Sequence, residues 1–304
     1  MTQVVVTGAF GFIGRHLARC LADRGYEVIG IGHGGWARDE WRRCGLADWR
    51  AADISVEALL ASAGRPHAIF HLAGAGSVAS SMTNPHTDFL RNVGTTAAVL
   101  EFARVADSGT RVVLPSSAAV YGSAERLPIA VGDRLSPTSP YGVHKRMAEE
   151  LCASYGRHFG LPCAAVRLFS VYGVGARKQL LWDACTKLAR GDCQFAGSGA
   201  ETRDWIHVDD VVELLAVAAE KAAPHCPIVN GGSGVSRSNR QVLFEVAGLI
   251  DPQIEPRFDG VTRPGDPADY RADISTTLTW RWAPRRQWQD ELAAYVDWFR
   301  RGAP

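Results

Sequence analysis

Val4-Val5-Val6-Thr7-Gly8-Ala9-Phe10-Gly11-Phe12-Ile13-Gly14 stands at the start of the chain. Three β-branched residues in a row read as a buried strand, and the glycines that follow are spaced to end it and begin a helix. Gly8 permits a tight turn, Gly11 allows a ligand close to the backbone, and Gly14 lets the helix lie against the strand. The helix start then offers unsatisfied N–H groups and the positive end of its dipole to a pyrophosphate. A second apolar run, Val28-Ile29-Gly30-Ile31, completes the strand–helix–strand setting of a dinucleotide-binding turn.

Working outward, Ala68-Ile69-Phe70-His71, Arg111-Val112-Val113-Leu114 and Cys163-Ala164-Ala165-Val166 are further compact apolar runs. Stretches of helical periodicity at 15–24, 88–106 and 142–159 separate them. This alternation predicts an α/β fold with a Rossmann-type doubly wound parallel sheet. Beyond residue 170, helical stretches at 180–190, 208–221, 240–249 and 287–301 alternate with Gly/Pro-rich loops. They predict a smaller C-terminal α/β substrate lobe. The expected division gives 1–170, with about 203–230, to the dinucleotide-binding domain, because 206–221 and Ile228-Val229 can return to the sheet. Residues 171–202 and 231–304 form the substrate lobe.

Composition excludes several functions. The 304 residues carry a formal net charge of +1, which gives no pull towards nucleic acid or an anionic membrane. No apolar segment is long enough to span a bilayer, and Met1-Thr2-Gln3 leads straight into a strand without a secretion signal. The seven cysteines are scattered, with no CxxC pair and no Cys/His cluster at zinc spacing. They read as reduced thiols in a cytoplasmic protein, and no metal is expected.

After its second strand, a dinucleotide fold usually places an acid for the adenosine ribose. Here the chain reads Ile31-Gly32-His33-Gly34-Gly35. Arg38 could meet a 2′-phosphate, so NAD and NADP both stay open. Asp53 could reach the adenine amino group or cap the helix expected at 55–62.

Tyr141 and Lys145 are one helical turn apart in Tyr141-Gly142-Val143-His144-Lys145. A phenol is a poor base at neutral pH, and a nearby ammonium is expected to lower its pKa. Tyr141 could then exchange a proton with a sugar hydroxyl while hydride moves to a nicotinamide. Ser117 follows the strand at 111–114, on the sheet edge where ligands sit, and can hydrogen-bond the reacting oxygen.

Together these segments resemble the extended short-chain dehydrogenase/reductase family, in its nucleotide-sugar epimerase/dehydratase branch, and specifically UDP-glucose 4-epimerase-like members. The resemblance spans nearly the whole chain. Besides the segments above it rests on Asp53-Ile54, His71-Leu72-Ala73-Gly74, Asn92-Val93-Gly94-Thr95, Arg167-Leu168-Phe169-Ser170-Val171-Tyr172-Gly173, Arg203-Asp204-Trp205-Ile206-His207-Val208-Asp209-Asp210 and Arg263-Pro264-Gly265-Asp266. It implies that Ser117, Tyr141 and Lys145 are catalytic. It implies NAD contacts, with NADP not excluded, from Gly8, Phe10, Gly11, Phe12, Ile13, Gly14, His33, Arg38, Asp53, Ile54, Leu72, Ala73, Gly74, Asn92, Tyr141 and Lys145. It implies substrate contacts from Ser117, Ala118, Tyr141, Ser170, Arg177, Arg203, Arg263 and Tyr270. Arg203 and Arg263 would grip the diphosphate, a task suited to the planar guanidinium fork. Tyr270 would narrow the pocket near C2 of the sugar. Asp209 and Asp210 read as helix caps, and His207 as structural.

The family's dehydratases carry an acid just after the triad hydroxyl, to protonate the leaving group. Ala118-Ala119 cannot transfer a proton, so dehydration is disfavoured. C4 epimerisation of a nucleotide-diphosphate hexose or 6-deoxyhexose, or reduction of a 4-keto sugar, needs only hydride and one proton. The epimerase is the first reading, the 4-ketoreductase the second, and a non-catalytic dinucleotide-binding protein the third. The family also implies a homodimer through the helices at 88–106 and 142–159, and a setting in polysaccharide precursor synthesis.

Overall fold

The computed structural model describes residues 1–106, 109–261 and 269–302. Its first half runs β1 (Gln3–Thr7), α1 (Phe12–Asp23), β2 (Glu27–Gly32), α2 (Arg38–Arg43), β3 (Asp48–Ala51), α3 (Val56–Ser62), β4 (Ala68–His71), α4 (Val78–Thr83) and α5 (Pro85–Phe89). A π-helical turn, Leu90–Gly94, leads into α6 (Thr95–Ala106), β5 (Arg111–Ser117), α7 (Pro140–Phe159) and β6 (Cys163–Leu168). The rest comprises β7 (Ser170–Tyr172), α8 (Gln179–Leu188), β8 (Gln194–Phe195), β9 (Thr202–His207), α9 (Val208–Lys221), β10 (Ile228–Gly231), β11 (Ser236–Ser238), α10 (Asn239–Ile250), β12 (Arg257–Phe258), α11 (Ser275–Thr279) and α12 (Trp288–Arg300).

Seven strands form one sheet in the order β10-β6-β5-β4-β1-β2-β3, and every pair in it is parallel. Successive side chains of β1 point to opposite faces. Val4 and Val6 join Leu17 and Leu21 of α1 and Val211, Leu214 and Leu215 of α9. Val5 joins Val99 and Leu100 of α6 and Ala148 and Cys152 of α7. Both faces are therefore covered by helices, as the apolar strands require. Strand order reverses between β1 and β4, which opens a crevice at their carboxyl ends, below the glycine-rich turn.

A further apolar cluster lies around Tyr172, Trp205, Trp288 and Tyr295, between β7, α8, β9, α10 and α12. A small seam of Ala118, Val120, Tyr121, Ile129, Phe169, Tyr270 and Ala272 joins the loop after β5 to the C-terminal segment.

Several local expectations are corrected. The helix expected over 88–106 is broken by the π turn. Thr95 Oγ1 donates to the Arg91 carbonyl at 2.6 Å and Thr96 Oγ1 to the Asn92 carbonyl at 2.5 Å, which offers that backbone an alternative to the regular ladder. β10 returns to the sheet and α9 packs on its face, but β9 pairs instead with β7 and β11 in a separate sheet. Ser55, not Asp53, caps α3, accepting from Ala58 N at 3.2 Å. His207 caps α9, while Asp209 and Asp210 lie in its first turn. Among the described residues no helix is long and apolar enough to cross a membrane.

Candidate active site

The glycine-rich turn is built for a bound backbone-hugging ligand. Gly8 has φ +69°, and a methyl group there would stand 2.7 Å from the Ala73 nitrogen at the end of β4. A methyl at Gly14 would stand 2.7 Å from the Ala9 Cα. Gly11 caps α1 without any side-chain hydrogen bond, and no acid occupies the first turn, where Phe12 and Ile13 follow. The free N–H groups and the dipole end are thus left for an anion, and the donor set fits a dinucleotide pyrophosphate. Phe10 packs edge-on to Trp36 at 5.2 Å, and Arg15 lies over its ring.

Beyond the carboxyl ends of β2 and β3 an open pocket is lined by Gly32, His33, Gly34, Gly35, Ala51, Ala52 and Asp53. His33 Nε2 meets Asp53 Oδ1 at 2.8 Å, so these two expected contacts come together; Ile54 follows, half-buried. Arg38 starts exposed α2, outside the lining of that pocket.

Leu72, Ala73 and Gly74 lie across the crevice, held by a directed chain of hydrogen bonds. Ala73 N donates to Thr7 Oγ1 at 3.2 Å, and Thr7 Oγ1 meets His71 Nδ1 at 2.8 Å. His71 Nε2 meets Thr95 Oγ1 at 3.2 Å. Because Thr95 already donates to Arg91, the imidazole must donate through Nε2 and accept at Nδ1. Burial, helped by the Lys145 charge, pushes its pKa down to about 3, so the ring is neutral. A methyl at Gly74 would stand 2.8 Å from Asn92 Oδ1, which is buried without a hydrogen-bond partner.

Ser117, Tyr141 and Lys145 meet beside this crevice. Ser139 caps α7, accepting from Gly142 N at 3.2 Å, and Tyr141 N donates to Ser81 Oγ at 3.1 Å. A methyl at Gly142 would stand 2.5 Å from the Ala119 carbonyl oxygen, so a glycine is what lets α7 approach the serine loop. Ser117 Oγ accepts from Ala119 N at 3.2 Å and is hydrogen-bonded to Tyr141. Lys145 Nζ lies 5.9 Å from the Tyr141 ring centroid and donates to the Pro115 carbonyl at 3.1 Å.

The expectation that the ammonium lowers the phenol is corrected for the chain alone. Burial pushes Tyr141 up to about 12, the Ser117 bond opposes this, and the Asp88 charge adds to it. Burial also pushes Lys145 down to about 8, against Asp88 and Glu149. A second positive charge is needed before phenolate forms near neutrality.

Among the expected substrate contacts, Ala118 is buried next to Ser117, and Tyr270 donates its hydroxyl towards the Ala118 and Gly122 carbonyls, each at 3.0 Å. Ser170 on β7 is paired in register with Trp205, two residues beyond Arg203 on β9. Arg203 NH1 donates to the Thr202 carbonyl at 2.8 Å. Arg177 is exposed, its guanidinium 5.8 Å from the Trp298 ring centroid. Arg263 lies outside the described residues.

Two features escaped the sequence reading. The Thr7–His71–Thr95 chain looked like ordinary strand and helix polarity. Asp88 lies one turn before Asn92 on the apolar face of a helical stretch; its Oδ2 accepts from Asn92 Nδ2 at 3.1 Å and from His144 Nδ1 at 2.6 Å. That acid among apolar positions was the available signal.

Residues 4–232 match the model of the NAD dependent epimerase/dehydratase family. A UDP-glucose 4-epimerase of Mycolicibacterium smegmatis is 31% identical over 98% of both chains. The UDP-glucose 4-epimerase of Thermotoga maritima, solved with UDP-glucose, superposes with a TM-score of 0.88 at 26% identity, covering 100% of both chains. MoeE5 in complex with UDP-glucuronic acid and NAD superposes with a TM-score of 0.87 at 29% identity, covering 98% of this chain and 99% of that one.

Proposed function

The chain belongs to the NAD dependent epimerase/dehydratase family, in its UDP-glucose 4-epimerase-like branch, and from that premise we propose that it interconverts the C4 epimers of a UDP-hexose, using NAD. The observation that carries this reading is the convergence of Ser117, Tyr141 and Lys145 beside an uncapped helix start. The UDP-sugars of the relatives support UDP as the nucleotide.

Bound NAD would accept hydride from C4 and return it to the opposite face of the 4-keto sugar. Its oxidised ring would also supply the second positive charge that the buried phenol lacks. Tyr141 takes the proton of the C4 hydroxyl as hydride leaves, and gives it back when hydride returns. Ser117 holds that oxygen in reach of the phenol. Lys145 keeps positive charge near Tyr141 and would hold the nicotinamide ribose. Gly8, Phe10, Gly11, Phe12, Ile13 and Gly14 cradle the pyrophosphate; His33, Asp53 and Ile54 meet the adenosine; Leu72, Ala73, Gly74 and Asn92 line the opposite wall. Arg203 and Arg263 hold the UDP diphosphate, Arg177 touches the nucleotide, Ser170 binds the sugar side, and Tyr270 backs Ala118 to exclude a bulky C2 substituent.

A second reading, NADPH-dependent reduction of a 4-keto-6-deoxy sugar, draws on Gly32-His33, where a ribose-binding carboxylate would stand. Incubation with UDP-glucose tests both: UDP-galactose formed without net change in nicotinamide absorbance supports the epimerase. Stoichiometric loss of NAD(P)H with 4-keto sugars supports the reductase. We also read the chain as a homodimer, because Leu90, Val143, Met147 and Phe159 are exposed on the helical region expected to pair. Light scattering after gel filtration tests this, and a monomer mass would reject it.

A further inference from the structure

Asp88 is a charged side chain, 3% exposed, in a place where burying a carboxylate is costly. It lies in α5, where that helix and the π turn pack on the start of α7. One oxygen, Oδ2, is fixed by His144 Nδ1 at 2.6 Å and Asn92 Nδ2 at 3.1 Å. The other, Oδ1, is buried without a hydrogen-bond partner. His144 is itself immobilised, 11% exposed and edge-on to Phe89 at 5.5 Å. It precedes Lys145 directly and lies three residues after Tyr141, so Asp88 is clamped against the helix face that carries the Tyr/Lys pair.

We propose that Asp88 is a positioning residue for that pair: its carboxylate, clamped against the same helix face, keeps the Lys145 ammonium charged in a buried site. The inference rests on the reading above for what the lysine is used for. The groups that meet or feel the Asp88 carboxylate are His144 at its Oδ2, Tyr141 and Lys145 on the same helix α7, and Asn92 of the π turn. Glu149, the next acid along α7, is engaged by Arg167 at 2.9 Å. Of the charges near Lys145, Asp88 acts most strongly against the effect of burial. It acts on Tyr141 in the same direction, favouring the phenol. Asp88 thus holds the proton on both groups until a cation enters the site.

The chain has four lysines, so ε-carbon-labelled lysine gives a spectrum in which Lys145 can be assigned and titrated by NMR in the full-length protein. In Asp88→Asn the Lys145 midpoint, about 8 in the parent, should fall by about one pH unit. The alkaline limb of kcat should move down with it, while NAD affinity stays within about twofold. Asp88→Ser serves if the asparagine variant does not fold. A folded variant that binds NAD and leaves the Lys145 midpoint in place would overturn the proposal. The titration needs no sugar, so a wild type that turns over no UDP-hexose would defeat the functional reading and leave this inference to its own result.

Discussion

Acid should loosen the cofactor cradle through one histidine. His71 is 2% exposed, held between Thr7 and Thr95, and its pKa is pushed down to about 3. A histidine in the unfolded chain titrates near 6.5. Above that pH neither state binds the proton and the full stability is present. As pH falls, the unfolded chain takes up a proton that the folded chain refuses, so stability drains away between about 6.5 and about 3. The loss is roughly 2 kcal/mol at about pH 5 and approaches roughly 5 kcal/mol at the acid limit. Urea denaturation across this range, for the wild type and His71→Gln, isolates the effect. Glutamine keeps a donor and an acceptor but cannot charge. The variant should start less stable at neutral pH and lose less on acidification. A wild-type-minus-variant difference that stays constant from neutral pH to about pH 4.5 would refute the argument.

Tyr141→Phe should lower kcat by about 10²- to 10⁴-fold with NAD affinity retained, measured by turnover and calorimetry; full activity would end its assignment as the base. Gly142→Ala pushes α7 away from the Ala119 carbonyl and should cost about tenfold or more in kcat, with little change in KM. Asp204→Asn should cost roughly 3 kcal/mol in thermal or urea unfolding, because its buried carboxylate accepts from Ser233 N, Ser233 Oγ, Gly234 N and Ala272 N. An unchanged melting temperature would show that those donors find other partners.

The sheet was legible because its strands are buried on both faces and so read as unbroken apolar runs. β3, Asp48–Ala51, was not, being short and partly exposed at the sheet edge. Helix existence at 88–106 was legible from periodicity, but the π turn was not, since threonine back-bonding depends on rotamers that a pattern does not record. Among site residues, those fixed by backbone demands were readable: Gly8 by its turn, Tyr141 and Lys145 by one helical turn. Residues such as His71 and Asp88 were hidden because their partners come from distant segments. The expectation that the phenol is lowered by its lysine overlooked burial, which pushes the phenol up and the ammonium down.

Tyr270 fastens the C-terminal segment to the carbonyl that begins the Ala118–Val120 turn and to the Gly122 carbonyl just beyond it. The segment proposed to select the sugar is thereby tied to the turn that directly follows Ser117, the hydroxyl proposed to hold the reacting oxygen. A lobe grafted from a relative would arrive with its own fastening and its own serine placement. On the proposed function, selectivity and speed would for that reason be inherited together, and neither could be exchanged as an independent module.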